Sequence, residues 1–316
     1  MVKPDKHPDA AGASIAAIEA GGTKFNCAIF SAAGQLLAST RIPTTSPDET
    51  LAKSLSFFHD HAEEHGSLVA AGIASFGPLD LDPKSPNCGS IFSTPKPGWS
   101  GVNIQQAFRE GLGVTTLIDT DVNCAALAEG RFGAARECNT FCYMTVGTGI
   151  GVGIISDKKP IGGSGHPELG HTRVSRAPND KFDGRCPYHR DCVEGLACGP
   201  AMMDRWGERA ENLADDHTAW EMEAYYIASL CMNIIYTVRP EKIVIGGGVF
   251  ERKTLYARVR EHLAKLLADY ALTPVERDLK RFICEPGLTE TAPGLLGALE
   301  LARVVVDLQC GGHDAR

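Results

Sequence analysis

The sequence predicts an α/β protein built from two diverged copies of one α/β unit, and three observations predict it. The strand-like runs SIAAIEA (14–20) and FNCAIFS (25–31) flank the glycine turn GGTK. The runs FCYMTVG (141–147) and GVGIISD (151–157) repeat that arrangement around GTGIG, so Gly21 and Gly147 begin equivalent turns. After each pair the chain alternates helical and strand-like stretches, the pattern of an α/β fold. With 316 residues, 43% of them hydrophobic, the chain can fill two domain cores.

The elements follow in order. QLLAST (35–40) extends the first two strands into an antiparallel meander. A helix is expected from about Pro47 to His65, then the buried strand LVAAGIAS (68–75), which ends in a Gly-Pro loop. After the Pro- and Gly-rich segment 77–101 come a short helix, the strand VTTLI (114–118), and a helix from Asp121 to about Gly133. The second repeat continues through the turn DKKP, a Cys/His loop, helices within 199–237, the strand EKIVI (241–245), a helix over 251–269, the strand RFICE (281–285) and a last helix over 293–307. Residues 1–13 are polar and proline-bearing, and are expected to form a flexible tail.

The formal charge of −8 is spread without long like-charge runs, which argues against nucleic acid or an anionic membrane surface as partner and favours small molecules. No apolar stretch approaches the roughly 18 residues of a membrane span. Eleven cysteines, an odd number and many within apolar runs, with no secretory leader ahead of them, fit a reducing cytoplasm.

Glycine turns let backbone N–H groups approach an anion with no Cβ in the way, and two such turns could clasp a polyphosphate. Neither is a P-loop, because no Gly-Lys-Ser/Thr occurs, and GTGIG is followed by a strand pattern rather than the helix of a dinucleotide fingerprint. Each turn alone also reads as an ordinary hairpin. Thr23 and Lys24 beside Gly21 and Gly22, and Thr145 and Thr148 around Gly147 and Gly149, add charge and hydroxyls suited to phosphate oxygens or their magnesium. Gly246, Gly247 and Gly248 in IVIGGGVF could let backbone lie against a flat ligand, or serve tight strand-to-helix packing.

Asp121 opens DVNCAALAEG after a strand, where a side chain can project into a site. It could equally cap the helix, a task that Asp119 or Thr120 could share. Downstream, His171, Cys186, His189 and Cys192 form H-x14-C-x2-H-x2-C, a thiolate and imidazole set suited to tetrahedral zinc, with His166 as a rival ligand and a metal-free loop as the plain alternative. Four protein ligands would leave zinc no open position, so it could not act as the Lewis acid.

EAGGTKF, ASFGP, STPKPGW, DTDVNCAALAEG, TVGTGIG, PELGH with its Cys/His set, and IVIGGGV occur in the order found in ROK sugar kinases, so the chain resembles that family from about Ser14 to Val306. EAGGTKF and STPKPGW make it most similar to the fructokinase branch. The resemblance implies an actin-like, ribonuclease-H-like duplicated fold, with two α/β domains and a cleft between them: a small domain of 14–119 plus 296–310, and a large domain of 120–295 carrying the zinc-binding loop.

It further implies ATP-dependent phosphorylation of D-fructose to fructose 6-phosphate, with Asp121 as general base, magnesium near Glu19, and ATP on Gly21, Gly22, Thr23, Lys24, Thr145, Gly147, Thr148, Gly149, Gly246, Gly247 and Gly248. The sugar contacts or their immediate surroundings fall on Gly77, Thr120, Glu168, His171 and Glu194. Zinc on His171, Cys186, His189 and Cys192 would then be structural, pinning a Gly- and Pro-rich loop so that Glu168 and Glu194 can accept bonds from sugar hydroxyls. The usual family ligand set has three cysteines, and His189 departs from it as the fructokinase-like branch does.

Glu19 replaces the aspartate common in the wider family, and Thr120 replaces the asparagine of the glucose branch. A broader glucose or mannose hexokinase and a non-catalytic sugar-binding regulator are the competing readings. Dimers are common in the family, so a homodimer is expected. The repressors of the family carry an N-terminal helix-turn-helix, for which the expected tail is too short.

Overall fold

The computed structural model describes residues 13–288 and 292–310. The expected tail, apart from Ala13 at the head of the first strand, lies outside the described residues. The chain forms two compact units. The first contains the described residues up to Ala128, Gly162–His166 and the described residues from 292 onward; the second contains Glu129–Ile161 and the described residues of Pro167–Thr289. The division expected from sequence, 14–119 plus 296–310 against 120–295, places its joints before Thr120 and inside the last helix.

In the first unit the strands are β1 (Ala13–Ala20), β2 (Lys24–Ser31), β3 (Leu36–Pro43), β4 (Ser67–Ser75) and β5 (Thr116–Thr120), in the sheet order β3-β2-β1-β4-β5. β1 runs antiparallel to β2 and parallel to β4; β2 and β3 are antiparallel, β4 and β5 parallel. Helix α1 (Pro47–His65) joins β3 to β4, α2 (Ile104–Leu112) precedes β5, and α3 (Asp121–Arg131) follows it. α1 starts where Ser46 Oγ accepts the Glu49 N–H and Pro47 presets the first turn, and it stops at Gly66, whose φ of 83° favours glycine.

β1 is buried on both faces, so it reads as a continuous apolar run rather than an alternation. Ala16, Ile18 and Ala20 pack with Phe58, Trp99 and Phe108 on one face, while Ile15 and Ala17 pack with Ala298, Leu299 and Ala302 on the other.

The second unit repeats the plan. β6 (Phe141–Val146), β7 (Ile150–Ser156), β8 (Lys159–Pro160), β9 (Ile243–Gly246) and β10 (Ile283–Cys284) lie in the order β10-β9-β6-β7-β8. Taken from its third strand, this is the order of the first sheet, with the same antiparallel and parallel pairings at each step. The duplication seen in the glycine turns therefore extends through all five strands of each sheet. Helices α4 (Val193–Ala197), α5 (Gly199–Trp206) and α6 (Ala219–Val238) lie between β8 and β9; α7 (Thr254–Leu267), α8 (Pro274–Arg277) and α9 (Leu279–Phe282) lie between β9 and β10. α6 and α7 supply much of this unit's core, including Trp220, Tyr226, Ile227, Leu263 and Leu267.

The final helix α10 (Pro293–Cys310) packs on β4, β1 and β5 of the first unit. Glycines permit the close approach: a Cβ on Gly72 of β4 would lie 1.9 Å from the Ala298 carbonyl oxygen, and one on Gly297 would lie 1.8 Å from that of Cys124 in α3. No helix among the described residues is long and apolar enough to cross a membrane.

Candidate functional site

The ends of β1, β2, β3 and the head of α3 converge on a pocket of about 250 Å³ lined by Glu19, Ala20, Gly21, Thr23, Lys24, Asn26, Arg41, Asp121 and Ala292. The strand register explains the polar lining, because Glu19 faces Asn26 across the β1/β2 ladder and Asn26 faces Arg41 across β2/β3. Asn26 donates its Nδ2–H to Glu19 Oε2 at 2.5 Å. The other oxygen of Glu19 faces the first turn of α10, 2.5 Å from where a Cβ on Gly294 would stand. A carboxylate at a helix N-terminus is favoured by the helix dipole, and only glycine leaves room for this one.

The first glycine turn is fixed by the Gly21 N–H donating to the Lys24 carbonyl at 3.0 Å, and by Thr44 donating its hydroxyl to the Gly21 carbonyl at 2.7 Å. Gly22 has open space on its Cβ side, and Thr23 and Lys24 are exposed.

Thr120 is the N-cap of α3: its Oγ1 accepts the Asn123 N–H at 3.2 Å. Asp121 is therefore the first helical residue; its Oδ1 accepts the neighbouring Val122 N–H at 2.9 Å, and it lines the pocket. Asp119, on the last turn of strand before it, accepts from the Thr120 N–H and the Asn123 side chain. Burial holds the Asp119 carboxyl above its ordinary range, partly offset by those two hydrogen bonds and by His166. His166 itself belongs to this unit, where its Nε2 accepts the Leu79 N–H at 3.0 Å beside Gly77.

In the second unit, His171, Cys186, His189 and Cys192 bring one donor atom each to within 4.8 Å of one another, and His166 is not among them. His171 Nδ1 lies 3.6 Å from both sulfurs, and His189 Nδ1 lies 3.7 Å from Cys186 Sγ. Zinc bonds of ordinary length meeting at the tetrahedral angle would put sulfur and nitrogen about 3.6 Å apart, so these four donors could hold a zinc ion. Burial, and after it the neighbouring Cys186, push the Cys192 thiol up to about 12, an environment in which a bound cation would be needed to hold a thiolate.

The local chain is built for the cluster. Cys186 and Arg190 exchange backbone hydrogen bonds of 3.2 and 2.9 Å, which turns His189 back over Cys186, while Cys192 caps α4. A Cβ on Gly170 would lie 1.9 Å from the Ile150 carbonyl oxygen, so the PELGH loop lies flat against the start of β7. Glu194 Oε2 accepts the Ile150 N–H at 3.0 Å and its Oε1 lies 3.8 Å from His171 Nε2. A carboxylate behind a ligating imidazole is the usual outer partner of a metal-bound histidine. Glu168 is exposed and caps the turn Leu169–His171 through its carbonyl.

The second and third glycine clusters meet in this unit. Gly247, at φ 94°, packs on Val146, with a Cβ there only 2.4 Å from the Val146 carbonyl oxygen, and the Gly199 N–H at the head of α5 donates to the Gly147 carbonyl at 2.7 Å. Thr148, Gly247 and Gly248 are exposed, Thr145, Gly147 and Gly149 are half-buried, and Gly246 is buried against Pro286 and Tyr143.

The ROK family model matches residues 15–304. The chain belongs to the ROK family. It is 44% identical to a fructokinase of Zymomonas mobilis over 90% of this chain and 95% of that one, and 40% identical to a fructokinase of Streptococcus mutans over 91% and 97%. The likeness to the fructokinase branch read from EAGGTKF and STPKPGW holds over nearly the whole chain. Among solved structures, a ROK hexokinase from Thermus thermophilus superposes with a TM-score of 0.75 at 24% identity, covering 93% of this chain and 99% of that one. The ROK fold, the actin-like duplicated α/β architecture, is thus the fold of this chain.

Within this ROK chain, reading the sequence passed over Asn26 and Arg41, which line the pocket with the expected Glu19, Lys24 and Asp121. Asn26 has one sequence signal, its spacing: Lys24 and Asn26 share a strand face, two residues apart. The sequence offers Asp119 only as a helix cap, and its raised carboxyl comes from burial that no local pattern announces.

Proposed function

We propose that the chain is an ATP- and magnesium-dependent kinase that converts D-fructose to fructose 6-phosphate. The observation that carries this is the placement of Asp121: the helix cap is made by Thr120, and the Asp121 carboxylate lines a pocket with Lys24, Glu19 and a glycine turn. The likeness to the fructokinases of Zymomonas mobilis and Streptococcus mutans supports fructose as the substrate.

In the proposed reaction the 6-hydroxyl oxygen of fructose attacks the γ-phosphorus, its proton passes to an Asp121 carboxylate oxygen, and the bond to the β,γ-bridging oxygen breaks to release ADP. Lys24 and the backbone of Gly21, Gly22 and Thr23 would bind phosphate oxygens, and the glycines of the second unit, with Thr145 and Thr148, would bind the rest of the nucleotide. Glu19 offers oxygen ligands suited to magnesium or to its bound water, and magnesium, when bound, supplies charge neutralisation on the phosphates. The 2.5 Å hydrogen bond from Asn26 and the contact with the first turn of α10 hold the Glu19 carboxylate in one position.

Zinc on His171, Cys186, His189 and Cys192 would supply rigidity, its four protein ligands leaving no site for substrate. Glu194, between the Ile150 N–H and His171, and Glu168, at the other end of the PELGH turn, are the carboxylates this loop would present to sugar hydroxyls, with Gly77 and Thr120 as further contacts.

ADP release should be measured with magnesium and ATP against fructose, glucose, mannose and N-acetylated hexosamines, with sugar-free and Asp121→Asn controls. Turnover that prefers fructose and needs Asp121 supports the assignment. Preference for glucose or mannose replaces it with a broader hexokinase, and no turnover on any sugar replaces it with a non-catalytic sugar binder. Two expectations accompany the assignment, a homodimer and a cytoplasmic location, which light scattering and cell fractionation would check.

A further inference from the structure

The pocket of the first unit contains two acids and two bases, Glu19 and Asp121 against Lys24 and Arg41. An acid and an arginine on neighbouring strands of one sheet face ordinarily pair. Here Glu19 on β1 and Arg41 on β3 stand in one row but are separated by the whole width of β2, about 9 to 10 Å between the outer backbones. The residue between them is Asn26, and its amide turns to the acid, donating to Glu19 Oε2 at 2.5 Å. Glu19 Oε1 faces Gly294 in α10. One oxygen of the acid is thus bonded to Asn26, and the other is turned toward α10. Among the described residues neither the Arg41 guanidinium nor the Lys24 ammonium has a hydrogen-bond or ion-pair partner.

A polyphosphate entering a pocket with two carboxylates and Lys24 alone would meet a net negative lining, and Arg41 brings the fixed charge to zero. The guanidinium fork suits the paired oxygens of a phosphoryl group, and the open side of Gly22 leaves room for one to approach the turn.

We propose that Arg41 is a further phosphate-binding residue, which with Lys24 holds the terminal phosphoryl group of ATP, and that Asn26 keeps it available by engaging Glu19. This inference rests on the kinase reading given above.

The test is equilibrium binding by calorimetry of a non-hydrolysable ATP analogue and of ADP to the wild-type protein, Arg41→Gln and Arg41→Lys, with thermal melts to confirm folding. Arg41→Gln should weaken the analogue about ten-fold or more, the typical worth of a charge-assisted contact, and leave ADP within about two-fold; Arg41→Lys should recover part of the loss. Unchanged affinity for both nucleotides would overturn the proposal and leave Arg41 as a solvated charge on an edge strand. An equal loss for both would also overturn it, since the contact would not be to the terminal group. Wild-type protein that binds neither nucleotide and releases no ADP with any sugar would overturn the kinase reading, and the proposal with it.

Discussion

Thr120 and Asn123 close the N-terminus of α3 between them, the Thr120 hydroxyl accepting the Asn123 N–H at 3.2 Å. The Asn123 side chain in turn donates to Asp119 at 2.8 Å, so the residues on either side of Asp121 hold the turn in place. The helix start does not depend on the Asp121 carboxylate for its cap.

Asp121→Asn should therefore fold with a melting temperature close to wild type and bind sugar and nucleotide with little change, while kcat falls at least about 100-fold, the common worth of a positioned base. Stopped-time ADP assays beside calorimetric binding would check this. Near-normal turnover would remove Asp121 from the chemistry.

Gly294→Ala separates stability from activity. Alanine favours a helix over glycine by up to about 1 kcal/mol, which offsets the crowding its Cβ brings, so the melting temperature should change little. Its Cβ would stand 2.5 Å from Glu19 Oε1, displacing that carboxylate from its place beside Asn26. The expected result is kcat lowered about ten-fold or more with a higher magnesium requirement; a fully active variant would show that the position of Glu19 is immaterial.

Cys186→Ser removes one of two thiols that flank His171 Nδ1 at 3.6 Å. Elemental analysis should find about one zinc per wild-type chain and little in the variant. The fructose KM should rise about ten-fold or more, as when the support of a site is lost, while nucleotide affinity changes less. Zinc-free, folded protein with unchanged fructose affinity would refute the tethering role.

Glu223 on α6 is buried, and neither carboxylate oxygen has a hydrogen-bond partner. Burial drives its carboxyl well above the ordinary range, with Arg205 acting weakly in the other direction. Over the interval between the unfolded and folded values the native state binds the extra proton, so this group's contribution to stability is present at low pH and is lost as pH rises. Glu223→Gln should raise the unfolding free energy at pH 8 by on the order of 1 kcal/mol, seen as a higher melting temperature, and the gain should shrink toward pH 4. A gain that is constant with pH would show that Glu223 does not titrate in this way.

Much of the fold was legible because local chemistry and tertiary packing agree. α1 runs from Pro47 to His65 as its cap and its terminal glycine dictate. The strand expected at 114–118 lies instead at Thr116–Thr120, because parallel pairing of Ala74 with Asp119 and of Ser75 with Thr120 draws polar residues into the ladder that hydropathy assigns elsewhere. RFICE shortens to Ile283–Cys284 since Asp278 caps the short helix α9, which takes up Phe282. α4 was missed because five residues are too few to show a helical period. In the pocket, Lys24 and Asp121 stand next to recognisable turns, whereas Asn26 and Arg41 join the row of Glu19 only through strand register, which a single strand's pattern does not encode.

The two sheets share one strand order, yet the connection after the third strand differs sharply between them. Between β3 and β4 it occupies residues 44–66 and is little more than α1; between β8 and β9 it occupies 161–242, of which Gly162–His166 belong to the first unit, and includes the Cys/His loop. The longer connection is peculiar to one of the two repeats. On the proposed role of Glu168 and Glu194, the loop that carries them and the Cys/His cluster is the segment to exchange in a search for new specificities, since it contains no strand of either five-stranded ladder.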